Sequence, residues 1–497
     1  MVVEVRTAKE TDAGLERALN YVGGRWVEPT TDQWIDVIDP ATARPIGRVP
    51  LSTPRDVDQA VQAAKAAFPA WRETPPLQRA RYMFRLKELL EAHLDDIARQ
   101  VVLEHGKTLE DARGSVRRGI ENVEVAAGIP SLMMGYGLED GAARGIDEEV
   151  VKQPLGVFAA ICPFNFPAMV PFWFWPYAVA CGNTFIVKPS EQVPLTQQRI
   201  FELVEQAGFP PGVINLVNGA KETVDALLAH PDIKGISFVG STAVAKYVYS
   251  TAAAHGKRVQ AQGGAKNVLV VMPDADLDQA VPNIIGSCFG SAGQRCLAGS
   301  LVMPVGDIHR PLVERMVEAA RALKLGFGLD EGVDMGPVIS DRARRRILAA
   351  IDQGVQEGAT LLLDGRTVRV PDYPDGYFVG PTIFDNVSPE MRLAQEEIFG
   401  PVVGIIPVKT LDEAIQLINR SPYGNAASIF TAQGRAARQF RYQVECGNIG
   451  INVGVAAPMA YFPFGGYKQS FFGTLHGQGR DAIEFFTERK VVITRWW

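Results

Sequence analysis

The chain has 497 residues, 47% of them hydrophobic and 21% charged, which is the balance of an ordinary globular protein too long for one core, so two or three domains are expected. A net charge of −6 with no basic block argues against nucleic acid or an anionic membrane surface as partner. The first ten residues lack an apolar core of leader length, the five cysteines show no paired framework, and the six histidines form no metal motif; reduced thiols, a cytoplasmic location and no metal site are therefore expected.

In chain order, residues 20–26 and 34–39 read as short strands, the second closing in the turn Pro40-Ala-Thr. Ser52-Thr-Pro opens a helix with cap residues and an early proline, and its apolar face is Val57, Val61, Ala64 and Phe68. One long helix is expected over 77–104, burying Leu86, Leu90, Leu94, Ile97 and Val101 and stopping at Gly106, and another over 109–128. Residues 137–155 are polar and loop-rich, then strand-like at Glu149-Val-Val-Lys.

From Gly156 strands and helices alternate. Strands are expected at 157–162, 184–188, 213–217 and 233–239, with helices at 167–180, 196–208, 221–230 and 242–255. The helix at 167–180 lies in the most apolar run of the chain, which is too short to cross a bilayer and carries Pro171 and Pro176. This alternation implies a parallel, doubly wound sheet, which binds ligands at the carboxyl ends of its strands. A second series starts at Asn267-Val-Leu-Val-Val and runs through 300–305, 310–323 and 342–358 to a strand at 426–430. Residues 484–497 read as a terminal strand with exposed aromatics, a surface suited to a subunit contact.

The chemistry is expected at Phe289-Gly-Ser-Ala-Gly-Gln-Arg-Cys296, which follows a helical run over 277–289. Gly290 and Gly293 break that helix and let backbone approach a ligand. The segment delivers a thiol directly after Arg295, and a neighbouring guanidinium favours the nucleophilic thiolate. Taken alone, the octapeptide fits a small buried hydrophobe equally well. No GxGxxG is present, but Val239-Gly240-Ser241-Thr242 leading into a helix can seat a phosphate on its free amides, or can simply be a good cap.

Pro163-Phe-Asn-Phe-Pro167, Lys188-Pro-Ser-Glu191, Phe238-Val-Gly-Ser241, Gly290-Ser-Ala-Gly-Gln-Arg-Cys296 and Glu396-Glu-Ile-Phe-Gly-Pro401 together resemble the aldehyde dehydrogenase superfamily, in order and spacing, over nearly the whole chain. Arg118-Gly-Ile-Glu-Asn-Val-Glu-Val-Ala-Ala-Gly128, Ser131-Leu-Met-Met-Gly135, Gly263-Gly-Ala-Lys-Asn267, Gly336-Pro-Val-Ile339 and Phe464-Gly-Gly-Tyr-Lys-Gln-Ser-Phe-Phe-Gly473 look like its CoA-acylating methylmalonate-semialdehyde dehydrogenase branch.

The resemblance implies an α/β fold with a doubly wound NAD-binding domain (1–136 and 156–263), an α/β catalytic domain (264–458) and a β oligomerisation arm (137–155 and 484–497), assembled as a homodimer or homotetramer. It implies Cys296 as nucleophile, with the side-chain amide of Asn165 and the Cys296 N–H around the oxyanion. Such donors are typically worth ~3–4 kcal/mol. Arg118 and Arg295 would grip a substrate carboxylate. NAD would be held by Phe164, Lys188, Glu191, Gly240, Ser241, Glu397 and Phe399, the Glu191 carboxylate favouring a free ribose 2′-hydroxyl. Taken singly, Asn165 could cap a helix, Lys188–Glu191 could be a surface ion pair and Glu397 a solvated charge.

Two positions depart from the superfamily pattern. Ala245 stands where a glycine is common. Ala261 stands where hydrolytic members keep a glutamate that serves as base for deacylation, and Gln262 beside it cannot accept a proton. The acylating branch also lacks that glutamate. The implied reaction is oxidation of malonate or methylmalonate semialdehyde through a Cys296 thioester, with loss of CO2 and transfer of the acyl group to CoA. The alternative is a hydrolytic aldehyde dehydrogenase that releases a free acid.

Overall fold

The computed structural model describes residues 15–497, together with the short strand Arg6–Thr7. The first ten residues, read above for a leader, lie almost wholly outside that description. Two large sheets carry the molecule. The first has eight strands in the order Phe471–Gly473, Arg258–Gln262, Ile233–Val239, Val157–Ile161, Thr184–Lys188, Ile214–Leu216, Asn20–Val22, Arg25–Val27. Its five central strands are parallel and the outer pairings antiparallel.

Winding starts at Val157–Ile161 and runs outward through 184–188 and 214–216. It then crosses back to Ile233–Val239 on the other side. The order reverses between Val157–Ile161 and Ile233–Val239, and such a reversal opens a crevice at the strands' carboxyl ends. Phe164 and Asn165 follow the first of these strands, and Gly240 and Ser241 follow the second.

The second sheet has seven strands in the order Thr360–Leu363, Thr382–Asp385, Val402–Ile405, Gly299–Pro304, Asn267–Val271, Ala426–Phe430, Asn448–Ile451, parallel except for the first pair. Central strands in both sheets are buried along their whole length (VFAAI, TFIVK, NVLVV, AASIF), because helices cover both faces. A three-stranded antiparallel sheet pairs Thr487–Arg495 with Ile146–Pro154 residue for residue, with Tyr136–Leu138 on its other edge. It exposes Tyr136, Leu138, Val491, Ile493 and Trp496.

Several elements differ from the sequence reading. Residues 20–26 are not one strand but a hairpin, since Gly23 and Gly24 both take positive φ and form its two-residue turn. The long helix is two, Pro76–Ala92 and Leu94–His105, and the break at His93 puts Asp95 and Asp96 into a new first turn. The run 167–180 is divided into Met169–Phe172 and Trp175–Ala180, because Pro176 lacks a donor and fits only the first turn of a new helix. Residues 484–486 end the helix Gly479–Phe486, and the terminal strand starts at Thr487; Phe485 and Phe486 turn inward against Phe158 and, for Phe486, Phe185. The strand Arg258–Gln262 gave no apolar signal because it reads RVQAQ; the Gln260 side-chain amide donates to the Ser237 hydroxyl at 2.8 Å.

Candidate active site

The helix Leu277–Phe289 ends as expected, and a single turn, Gly290–Gly293, carries the chain to Gln294-Arg295-Cys296. Ser291, Ala292 and Gly293 all have positive φ (50°, 52° and 68°). Non-glycine residues pay for that conformation, and runs of it gather at functional sites. A side chain at Gly293 would lie 2.2 Å from the Gly400 carbonyl, so glycine is needed there for close approach; one at Gly290 would meet the Arg295 guanidinium, which would have to move aside.

Three groups hold this turn. Asp111, in the first turn of the helix Leu109–Ala127, accepts from the Ser291 N–H and hydroxyl at 3.0 Å each and from Arg295 Nη2 at 2.5 Å. The side-chain amides of Asn267 and Asn425 donate to the Cys296 carbonyl at 2.8 and 2.7 Å. Asn267 begins a strand of the second sheet and Asn425 immediately precedes another. The nucleophile segment is thus tied to the amino-terminal edge of the second sheet and faces the carboxyl-terminal edge of the first.

The Cys296 thiol is pushed up to about 12, first by burial and then by the nearby Glu397 carboxylate; the Cys296 and Leu297 amides and Arg295 act weakly in the other direction. This corrects the expectation that Arg295 makes a thiolate. Its guanidinium is turned to Asp111, and burial outweighs it. The side chain of Asn165 is buried and donates to the Gln294 carbonyl at 3.1 Å, which ties it to the nucleophile turn rather than to the start of a helix. Beneath it, fully buried Lys107 donates to the Asn165 carbonyl at 2.8 Å and lies over the Phe166 ring; burial lowers its ammonium to about 7.

A cavity of about 550 Å³ leads to Cys296. Arg118 and Arg295 both line it, with Phe166, Trp173 and Phe464 as apolar wall. Arg118 donates to Glu121 at 2.9 Å and to the Ala457 carbonyl at 3.3 Å, so the helix-face pair with Glu121 coexists with a place in the cavity.

At the carboxyl end of Ile233–Val239, the helix Thr242–Ala254 starts after Gly240 and Ser241, and Ser241 makes no side-chain cap. The first amides of that helix remain available to an anion. Ala245 is fully buried, so alanine still permits close packing there. Lys188 is buried and donates to Glu191 at 3.0 Å; burial opposes the Glu191 charge, but Lys188 and its other donors outweigh burial and hold the carboxyl below its usual range. Glu397 accepts from the Ala265 N–H at 2.9 Å, and burial raises its carboxyl to about 7, so it is not a solvated loop charge. Phe164 and Phe399 meet edge to face at 5.8 Å, and Phe399 is held at a φ of 53°.

At the departure from the hydrolytic pattern, the residue on the Cys296 side of the strand is Gln262 and not Ala261. Ala261 points into the cluster with Val157, Ala159 and Phe238, away from the cavity. Strand alternation sends Gln262 to the other face, toward Phe174 and Gly477, in the core cluster against which Cys296 packs. Both amide atoms of Gln262 are buried without a partner among the described residues. Lys107, Asp111, Asn267 and Asn425 had no assigned role in the sequence reading. Only Asn267 carried a usable signal, as the last residue of a motif already noted.

Among the described residues no cluster of three His, Cys, Asp or Glu side chains is arranged to hold a metal ion, and no helix is long and apolar enough to cross a membrane. Residues 26–492 match the aldehyde dehydrogenase family. The chain is 53% identical over 477 residues to malonate-semialdehyde dehydrogenase 3 of Geobacillus kaustophilus (strain HTA426), covering 96% of this chain and 98% of that one. The crystal structure of a methylmalonate-semialdehyde dehydrogenase from Oceanimonas doudoroffii superposes with a TM-score of 0.95 at 48% identity, covering 97% and 99% of the two chains. Betaine aldehyde dehydrogenase of Staphylococcus aureus in complex with NAD+ superposes with a TM-score of 0.93 at 32% identity, covering 96% and 95%.

Proposed function

The chain belongs to the aldehyde dehydrogenase family, and from that premise we propose that it is an NAD-dependent, CoA-acylating dehydrogenase of malonate and methylmalonate semialdehydes. The observation that carries this reading is the cavity ending at Cys296 and lined by Arg118 and Arg295, because a guanidinium fork pairs well with the second carboxylate of such substrates.

The residues present fit NAD. The uncapped amides beyond Gly240 and Ser241 suit its pyrophosphate, and Lys188 with Glu191 suits the adenosine ribose. Phe164, Glu397 and Phe399 suit the nicotinamide end. NAD, when bound, supplies the hydride acceptor. In our reading the Cys296 thiol gives up its proton, which the nearby Glu397 carboxylate can take. Its sulfur adds to the aldehyde carbon while the Asn165 amide and Cys296 N–H stabilise the oxygen that becomes negative. Oxidation leaves an acyl thioester on Cys296. A thioester carbonyl stabilises the carbanion left when the β-carboxylate departs as CO2, and protonation gives an acetyl- or propionyl-enzyme. The CoA thiol then attacks the thioester and releases Cys296.

Gln262 supports transfer to CoA over hydrolysis, since an amide cannot take a proton from water. The hydrolytic alternative draws on one observation, the Glu397 carboxyl held at about 7 near the thiol, where it could serve as a base. The deciding experiment follows NADH formation with malonate semialdehyde, methylmalonate semialdehyde and propanal, each with and without CoA. We expect a burst near one equivalent per site without CoA, and sustained turnover only with it. Full CoA-free turnover to a free acid refutes the acylating reading.

The same proposal assigns 1–136 and 156–263 to NAD binding, 264–458 to catalysis and 137–155 with 484–497 to oligomerisation. Sheet membership supports this division, apart from Phe471–Gly473, which joins the first sheet. The exposed apolar side chains of the three-stranded sheet suit a homo-oligomer contact, dimer or tetramer. Five unpaired cysteines suit a reducing compartment such as the cytoplasm.

A further inference from the structure

The cavity above Cys296 is lined by three arginines (Arg117, Arg118, Arg295) and three carboxylates (Glu110, Asp111, Glu121), so it offers an anion no net positive charge. The two arginines nearest the chemistry are also occupied. Each guanidinium nitrogen of Arg295 already donates, Nη2 to Asp111 at 2.5 Å, Nη1 to the Gly286 carbonyl at 3.3 Å and Nε to the Ser291 hydroxyl at 3.4 Å. Arg118 spends Nη1 on Glu121 and Nη2 on the Ala457 carbonyl. Each guanidinium keeps N–H groups beyond these bonds, but its charge is already paired with an acid, so a substrate carboxylate has to compete with Asp111 and Glu121 for it.

From this arrangement we propose that Asp111 and Glu121 are specificity-determining residues, internal stand-ins for the substrate carboxylate that set how strongly the site prefers an aldehyde bearing a second carboxylate. The proposal rests on the substrate class argued above. The two acids are not equivalent. Asp111 also fastens the Ser291 N–H and hydroxyl, so it couples occupancy of Arg295 to the turn that presents Cys296. Glu121 pairs with Arg118 and holds no part of the nucleophile turn, so it is the purer competitor. Neutralising either acid leaves its arginine available, and the gain goes to the aldehyde that brings a charge.

The test measures kcat/KM for malonate semialdehyde and for propanal, with NAD and CoA saturating, in the full-length enzyme and in Glu121→Gln, Glu121→Asp and Asp111→Asn. The reading is the ratio of the two constants, which a loss of folded protein does not move. Glu121→Gln should raise the preference for malonate semialdehyde about two- to fivefold, the range of a partly exposed ion pair. Glu121→Asp keeps the charge and should hold the ratio near that of the parent. Asp111→Asn still offers an oxygen to the Ser291 N–H and should raise the ratio further. A burst near one NADH per site shows that its nucleophile turn is intact, and without that burst Glu121→Gln decides alone. A ratio unchanged or lowered in Glu121→Gln overturns the proposal. If the parent enzyme shows no preference for the semialdehyde over propanal, it is the substrate assignment that fails instead.

Discussion

The resting state of the nucleophile gives the sharpest test of the site. With the Cys296 thiol pushed up to about 12, roughly one molecule in 10⁵ carries thiolate at pH 7, against about 3% for a free cysteine near 8.5. Alkylation by iodoacetamide in the absence of NAD should therefore run about 10³-fold or more slower than for a small thiol. It should rise close to tenfold per pH unit from 7 to 10 without levelling. Mass spectrometry assigns the modified residue, since the other four cysteines are buried. Burial is the larger cause and Glu397 the second, so Glu397→Gln should speed alkylation by less than tenfold. The Glu397 carboxyl loses its proton at about 7, so parent and variant should converge below pH 7 and separate above it. A rate that levels off by pH 8 would mean a thiolate already formed at rest, and would refute the account of burial prevailing over Arg295.

Further expectations concern single side chains. Cys296→Ala should bind NAD, measured by titration calorimetry, and give no NADH burst. Arg118→Leu should cut kcat/KM about ten- to a hundredfold for malonate semialdehyde, the loss of a charge-assisted pair, and far less for propanal; equal losses would leave Arg118 a structural role only. Gln262→Glu should raise the CoA-free steady rate, whereas Ala261→Glu drives a carboxylate into an apolar core and should lower Tm sharply without that gain; the opposite pattern would restore Ala261 as the facing residue. Gly293→Ala adds about 1–2 kcal/mol for its positive φ, besides the overlap with Gly400, and should abolish the burst while Phe289→Leu at the buried helix end leaves it measurable.

Much of the site was legible because its residues sit where strands end. Phe164, Asn165, Gly240 and Ser241 follow the two strands between which the winding reverses, and alternation alone put ligands at the carboxyl ends of such strands. The partners that hold the site were not legible, because they act across long stretches of chain. Asp111 meets Ser291, and Asn425 meets Cys296, through contacts that no local pattern encodes. The error at Ala261 has a similar source. A run of small and polar residues gave no strand signal, and without a strand there was no alternation to say which side chain faces the cavity. The thiol's state was misjudged because a neighbour in sequence, Arg295, need not point at the next side chain.

The two strand pairings that close the molecule join very distant parts of the chain. Phe472 pairs with Ala261 and Val491 with Val150, partners separated by roughly 210 and 340 residues. Contacts of that range form late and at high entropic cost, because most of the chain must be in place first. The strand Arg258–Gln262, which carries Gln262, therefore has an unpaired edge through most of folding, and an open edge is a template for another chain. Refolding yield should fall with protein concentration more steeply than native stability alone implies. A tethered copy of residues 465–475 supplied early in refolding should recover it.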